Sequence, residues 1–342
     1  MQSHKSIFFA ITMLICNTSF SDCIKDKYIF DVGSGGIDSV GYIIDTCAKK
    51  VKKIKAQSYY NLPLQHCIST SHDKQSLSNE CIEDAKLAFE SLQKKFNINC
   101  KKDKCIAVAT AWARNAKNAQ TLIDRIKEYG IKVSVLSQHD EGKISFHSLM
   151  LENNVIGDEE KKAVVFDIGG GSFQLNTLDD NGEIHVYKGP YGMFNFKPLV
   201  MKKFGNGKND ILDPKDLKAI KKFALDEIGS KLKKDKILMK KFSSKDIKVF
   251  GAGSFMSKGT VQLDMETVFS IDDIEKTLES LVGKTVPEIQ SIYTKMPKEY
   301  APNQQFSLFI IYAIMKKCGI DRVYISPHGG INQYIALNGV PD

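Results

Sequence analysis

Along "KYIFDVGSGGIDSVGYIIDT" (Lys27 to Thr46), apolar and polar positions alternate on both sides of a glycine cluster, which predicts a β-hairpin turning at "GSGG". The period then changes. In "SNECIEDAKLAFESLQKKF" (Ser78 to Phe96), Ile82, Ala85, Leu87, Ala88 and Leu92 mark an amphipathic helix behind a capping Ser or Asn. "CIAVATAWAR" begins with a short buried strand, Ile106 to Ala109. "NAQTLIDRIKEYG" predicts a helix ending at Gly130, "IKVSVLS" a strand, and "DEGKISFHSLMLEN" a helix that opens on acidic residues. "KAVVFDIGGGSFQLNTLDDNGEIHVYKGP" then reads as strand, glycine turn, strand, a tight "DDNG" turn and a third strand. Lysine-rich helices fill Pro214 to Lys241. A further glycine turn lies in "IKVFGAGSFMSKGT", a helix in "NQQFSLFIIYAIMKKCG", a strand in "RVYIS" and a closing segment in "PHGGINQYIALNGV".

One phrase occurs twice: Asp31-Val32-Gly33-Ser34-Gly35 and Asp167-Ile168-Gly169-Gly170-Gly171 both follow a strand and precede another. Repetition of this unit, with strands alternating with helices, predicts two similar α/β domains whose glycine turns face each other across a cleft. The expected boundary lies near Leu136 to Gln138. That gives a first domain over 22–137, completed by 328–342, and a second over 138–327. Before them, "MQSHKSIFFAITMLICNTSFSD" has Lys5, an apolar run from Ile7 to Ile15 and small residues at Ser19 and Ser21, the pattern of a secretory signal over 1–21. Its apolar run is too short to span a bilayer. About 320 residues then remain, enough for two domains. The expected location is the periplasm or the exterior.

Net charge is +8 with scattered lysines, which favours polyanionic small substrates. No basic stripe is interleaved with aromatics, so nucleic acid is not an expected partner. Cysteine usage agrees with export. Cys23 and Cys47 flank the first hairpin equally far from Gly35, Cys67 and Cys81 bracket a polar loop, and Cys100 and Cys105 bracket "KKDK". These are the expected disulfide pairs, with Cys318 a buried free thiol; the absence of any CxxC argues against a metal cluster.

Glycine turns after buried strands expose N–H groups to an anion, and missing side chains let phosphate approach. Gly33, Ser34, Gly35, Gly169, Gly170, Gly171 and Gly253 are therefore candidate phosphate contacts, joined by Arg114 in "ATAWARNAKN" through charge-assisted bonds. Asp31 and Asp167, at strand ends, are candidate ligands for Mg²⁺ or another divalent cation. In "LSQHDEGKISF", Asp140 and Glu141 either charge a helix start or supply a general base.

"DVGSGG", "ATAWARNAKN", "LSQHDEGK" and "DIGGGSFQL", with the end "ISPHGGINQYI", resemble in order and spacing the motifs of the exopolyphosphatase/guanosine pentaphosphatase (Ppx/GppA) family. The resemblance implies two ribonuclease-H-like α/β domains of the actin-like ATPase superfamily around a phosphate cleft. It implies Glu141 as catalytic Glu and Arg114 as phosphate-binding Arg. The implied activity is hydrolysis of phosphoanhydrides, with polyphosphate or a nucleoside polyphosphate as substrate. Two departures stand out: the family's usual "GEEEAR" is "QHDEGK" (Gln138 to Lys143), and its usual Glu is Gln174. At those points the chain resembles the secreted nucleoside triphosphate diphosphohydrolases (apyrases), which pair a catalytic Glu with Gly and use Gln. On this reading Ser172 and Gln174 position the water that Glu141 deprotonates. The alternatives are an apyrase acting on ATP or ADP, and a phosphate- or nucleotide-binding protein with little turnover. A homodimer and no stable membrane insertion after signal cleavage complete the expectations.

Overall fold

The computed structural model describes residues 23–205, 211–244, 246–253, 255–256, 265, 267–294, 300–326 and 330–341. The segment 1–21 read as a signal lies outside them. In chain order the strands are β1 (Ile24–Val32), β2 (Gly36–Asp45), β3 (Lys50–Asn61), β4 (Cys105–Ala109), β5 (Lys132–Val135), β6 (Ala163–Ile168), β7 (Phe173–Leu178), β8 (Ile184–Gly189), β9 (Lys248–Ala252), β10 (Val268–Ser270) and β11 (Arg322–Ile325). The helices are α1 (Leu64–Thr70), α2 (Asn79–Phe96), α3 (Ala111–Asn115), α4 (Ala119–Lys127), α5 (Gln138–Glu152), α6 (Met193–Phe204), α7 (Leu217–Ala224), α8 (Ser230–Leu232), α9 (Lys236–Phe242), α10 (Ile271–Leu281), α11 (Val286–Ile292), α12 (Gln304–Cys318) and α13 (Asn332–Asn338).

The strands form two sheets, ordered β3-β2-β1-β4-β5 and β10-β11-β9-β6-β7-β8. In each, a three-stranded antiparallel meander is followed by strands added in parallel: β4 and β5 in the first, β9 and β11 in the second. This is the ribonuclease-H-like arrangement used twice, the actin-like ATPase fold. The two glycine hairpins have matching registers. Val32 pairs with Ile37 and Asp31 with Asp38 in the first; Ile168 pairs with Phe173 and Asp167 with Gln174 in the second.

Each sheet has an outer core. The first is built by Phe30, Val32 and Ile37 against α1 to α4. The second is larger and lies around α12, which is buried on nearly every side because α6, α7 and α10 enclose it. Between the sheets run α5 and α13. Ile144 of α5 joins Ile331 and Ile335 in a core on β1, β2 and β4, whereas Phe146, Leu149 and Met150 pack against Val165 and Phe250. Helix α5 thus faces both sheets, which explains why its apolar residues form no single stripe. Its start is capped by Ser137, whose Oγ accepts from Asp140 N. Lys27 of β1 is buried and its Nζ donates to the Ala336 carbonyl, tying α13 to the first sheet.

The three disulfides are Cys23–Cys47, Cys67–Cys81 and Cys100–Cys105, and Cys318 is buried and free. The first hairpin turns half a residue earlier than its symmetric reading about Gly35 implies. Cys23 therefore stands opposite Thr46, whose N donates to its carbonyl, and the bond to Cys47 closes one position further on. The segment between Cys67 and Cys81 is not wholly loop, since α1 runs through Thr70. Strand β3 has no counterpart in the sequence reading. Its "KVKKIK" start is largely exposed at the sheet edge, where lysines discourage pairing with another chain and mask the alternation. Among the described residues no helix is long and apolar enough to cross a membrane.

Candidate active site

The turns are built so that their carbonyls are occupied. In the first, Gln65 N donates to Ser34 O (3.1 Å), and Tyr59 Oη (3.0 Å) and Tyr300 Oη both donate to Gly35 O. In the second, Phe194 N donates to Gly170 O (2.9 Å) and Asn195 Nδ2 to Gly171 O (2.7 Å). The N–H groups of Ser34, Gly35, Gly170 and Gly171 donate to no acceptor among the described residues. Ser34 Oγ is likewise buried without a hydrogen-bond partner. Such amides, with carbonyls turned away, form a cradle for an anion.

The two cradles meet. A Cβ placed on Gly171 would lie 3.2 Å from Ser34 Oγ and 3.0 Å from Ala111 Cβ; one on Gly170 would lie 3.3 Å from Ser34 Cβ. A side chain here would crowd the opposing turn, and at Gly170 it would also meet Phe194 Cδ2 at 2.7 Å, so glycine suits this approach. The third turn joins the second. Gly253 follows β9 at φ +91°, and a Cβ there would lie 2.2 Å from Ile168 O and 3.1 Å from Asp167 Oδ1.

Arg114 and Glu141 come together from different elements. Arg114 lies in the last turn of α3, and Trp112 of the same helix anchors it by donating Nε1–H to Val32 O (2.7 Å). Arg114 Nη1 donates to Leu136 O (2.8 Å) and Glu141 Oε2 (2.8 Å). Glu141 sits in the first turn of α5, which Gln138 pins to the second sheet through Nε2 to Phe173 O (3.1 Å) and Gly189 O (3.0 Å). Next to it, Gly142 lets α5 close on β7 and β8: a Cβ would meet Asn176 Oδ1 at 2.5 Å and Val186 Cγ1 at 2.7 Å. Asp140 has the other role read from sequence. It caps the helix with Ser137 while Glu141 turns inward.

Burial pushes the Glu141 carboxyl up to about 7, against the opposing pull of Arg114 and with a further upward push from Asp167. Its side chain is 15% exposed. Asp167 is pushed up to about 6 by burial, opposed only by a hydrogen bond from Ser145 on α5. Among the described residues no cationic side chain offsets its charge. Gln174, 1% exposed, stands across the ladder from Asp167 and donates Nε2–H to Ser172 Oγ (3.3 Å). Glu141, Asp167, Ser172, Gln174, Arg114 and Gly253 are thus assembled around the mouth of the second hairpin, and Gly33, Ser34 and Gly35 face them. Asp31 is the last residue but one of β1 and stands opposite Asp38 on the ladder.

Sequence reading missed Gln138, Ser145, Trp112 and the carbonyl ties from Tyr300 and Asn195. Trp112 stood beside Arg114 as the chain's one Trp, a signal of anchoring. The others act through pairings that no local pattern reveals.

Two sheets of one plan, with their glycine turns apposed and a largely buried glutamate beside them, define a protein of the actin-like ATPase fold. The description of the Ppx/GppA phosphatase family matches residues 68–329, and the chain belongs to that family. Among solved structures it is similar to an exopolyphosphatase from Cytophaga hutchinsonii (19% identity, 93% of this chain and 99% of that one, TM-score 0.68). It is also similar to the Ppx-GppA enzyme of Aquifex aeolicus (19% identity, 92% and 99%, TM-score 0.65). A search of curated proteins finds no match.

Proposed function

We propose that the protein is an exported phosphoanhydride hydrolase that releases terminal phosphate from inorganic polyphosphate or a nucleoside polyphosphate. The observation that carries this reading is the pair of apposed glycine turns in which the N–H groups of Ser34, Gly35, Gly170 and Gly171 have no acceptor among the described residues, beside a Glu whose carboxyl is pushed up to about 7. The family and its exopolyphosphatase relative support the reaction class; three disulfides in the first half support export.

In this mechanism the turn amides and Ser34 hold the terminal phosphate, and Arg114 neutralises charge developing on it. Glu141 takes the proton from the attacking water. A base with a pKa near neutrality is well matched to that task. Ser172 and Gln174 orient the water, and the amide does so without adding a charge beside Asp167. Asp31 and Asp167 offer the oxygen donors a hard divalent cation such as Mg²⁺ prefers, and the uncompensated burial of Asp167 fits such a partner. When bound, the cation supplies charge neutralisation for the phosphate chain.

The test is phosphate release by purified protein with Mg²⁺ from polyphosphate, ATP, ADP, GTP and guanosine pentaphosphate. Release from at least one is expected, and silence on all of them by folded protein would remove the proposal. Gln174 and the Glu141-Gly142 pair favour one second reading, an apyrase-type nucleotidase; preference for ATP and ADP over polyphosphate would select it.

A further inference from the structure

In the second half of the chain, α6 and the helical segment that begins with α7 leave an open recess of about 450 Å³ between them, a size that suits a small organic ligand. It is lined by Tyr191, Leu199, Lys202, Lys203, Phe223 and Glu227, none of which belongs to the glycine turns or to the set around Glu141. Leu199, Lys202 and Lys203 stand three and four positions apart and share one face of α6. Phe223 and Glu227, four apart, share a face of α7 and of the π-turn Leu225–Gly229 that continues it. Single π-turns inside helices recur at functional sites.

The lining combines three chemistries. Glu227 is an oriented acceptor: its Oε1 accepts from Lys231 Nζ (2.7 Å) and from Tyr191 Oη, and these bonds hold its carboxyl below the usual range and ionised. Its Oε2 has no hydrogen-bond partner among the described residues and offers lone pairs to a donor. Lys202 and Lys203 are exposed cations with no carboxylate partner among the described residues; the acids of the facing segment are paired within it, Asp226 with Lys222 and Glu227 with Lys231. Lys203 Nζ lies 4.7 Å from the centroid of the Phe223 ring, a modest attraction at an exposed site, against which a phosphate offers charge-assisted hydrogen bonds. Phe223, stacked on Phe196, and Tyr191 supply aromatic surface beside Leu199. A fatty acid would lay its tail against the Glu227 carboxylate and give it no donor. A bare phosphate chain makes no use of the rings and is repelled by that same charge. An aromatic base with an amino group and an attached phosphate meets all three requirements, since bases stack on aromatic side chains.

We propose that this recess is a second ligand site, apart from the phosphate cleft, for a nucleoside 5′-monophosphate with an amino-bearing base. The base lies against Phe223 and Tyr191, its amino group donates to Glu227 Oε2, and Lys202 and Lys203 hold the phosphate. The site stands on α6, the helix whose Phe194 and Asn195 tie down the Gly170 and Gly171 carbonyls, so its occupant rests on the element that shapes the second turn. The inference does not rest on the hydrolysis proposed above, because a nucleoside monophosphate has no phosphoanhydride bond to cut.

The experiment is calorimetric titration of the full oxidised protein with AMP, and with its two fragments, adenosine and ribose 5-phosphate. Wild type should bind AMP at least about tenfold more tightly than either fragment, because each lacks one half of the recognition. Added salt should weaken AMP and leave adenosine unchanged. Lys202→Met/Lys203→Met removes only exposed side chains and should bring AMP down to the level of adenosine. Phe223→Leu should weaken AMP and adenosine at least about fivefold and leave ribose 5-phosphate unchanged; should that variant fold poorly by circular dichroism, the lysine pair still decides the matter. The cleft variant Arg114→Met should retain AMP. The proposal is overturned if wild type does not bind AMP, if AMP binds no more tightly than its fragments, or if the lysine variant binds AMP as wild type does. Binding lost in Arg114→Met and kept in the lysine variant would place AMP in the cleft and overturn it equally.

Discussion

The two glycine hairpins share a backbone plan and differ in what stands opposite the aspartate. In the first, Asp31 pairs with Asp38; in the second, Asp167 pairs with the amide Gln174. Like charges directly opposite on a ladder are unfavourable unless solvent or a cation relieves them. The second hairpin avoids the conflict and is the more buried at that position, with Gln174 at 1% exposure. It is also the one that Glu141 and Ser145 approach from α5. The groups whose carboxyls are pushed up by burial, Glu141 and Asp167, therefore lie at the second hairpin, with the first apposed to it; the proposed function divides the labour along that line, proton chemistry at the second hairpin and the opposing wall of a phosphate cradle at the first.

The sharpest way to break this division is Glu141→Gln. The substitution keeps a hydrogen-bonding side chain for Arg114 but cannot take a proton, so turnover should fall by about 10²–10⁴ with phosphate binding retained. Phosphate release together with phosphate-dependent thermal protection measures both. Near-normal turnover would remove Glu141 as the base and leave the cradle standing.

A second contrast is that all three disulfides lie in the first half. Cys67–Cys81 closes a separation of 14 residues, for which chain-entropy arguments give about 3 kcal/mol. Cys67→Ser/Cys81→Ser should lose stability of that order, and the loss should appear first around the lone Trp112, which is fully buried in the first core. Trp fluorescence followed beside circular dichroism checks it. Coincident unfolding by both probes, at unchanged midpoint, would show that the halves do not differ in this way.

Gly142→Ala tests how closely α5 must lie on the second sheet. The added methyl would meet Asn176 Oδ1 and Val186 Cγ1 at contact distances no Cβ tolerates, so those buried side chains or α5 must give way, and we expect α5 to move. Overpacking of this kind costs about 1–3 kcal/mol. Displacement of Glu141 should lower kcat with little change in KM, and denaturant unfolding with steady-state kinetics would show both effects.

Much of this was legible because it is local. The strand-Asp-glycine phrase is repeated in sequence, and a pattern of that kind announces both hairpins and the apposition of their turns. Glu141 was legible as one of two acids at a helix start, but not its separation from Asp140, which depends on Ser137 capping one and Arg114 drawing in the other. Strand β3 was hidden because its edge position fills it with lysines. The carbonyl ties from Tyr300 and Asn195 depend on segments far apart in the chain, and their role is to orient backbone, which leaves no residue pattern.

The smallest expected effect concerns the charge balance of the second hairpin, and it is read as a pH dependence. With the Glu141 carboxyl pushed up to about 7 from 4.5, a working base requires that turnover rise with pH through about 7. The same shift has a stability consequence of fixed sign. The folded state holds a proton that the unfolded chain has already released, so this group's contribution is complete below about pH 4.5 and is lost as pH rises through about 7. Gln174→Glu places a second acid across from Asp167 in the same buried space. Its negative charge would push both Asp167 and Glu141 further up, moving the acid limb of the rate profile to higher pH while leaving activity at pH 8 and above near that of wild type. In the first hairpin the matching position is already an acid, so the variant makes the two ladders alike. A limb that moves to lower pH, or turnover lost at every pH, would show that Gln174 is there for its hydrogen bonds to the water and not for its neutrality.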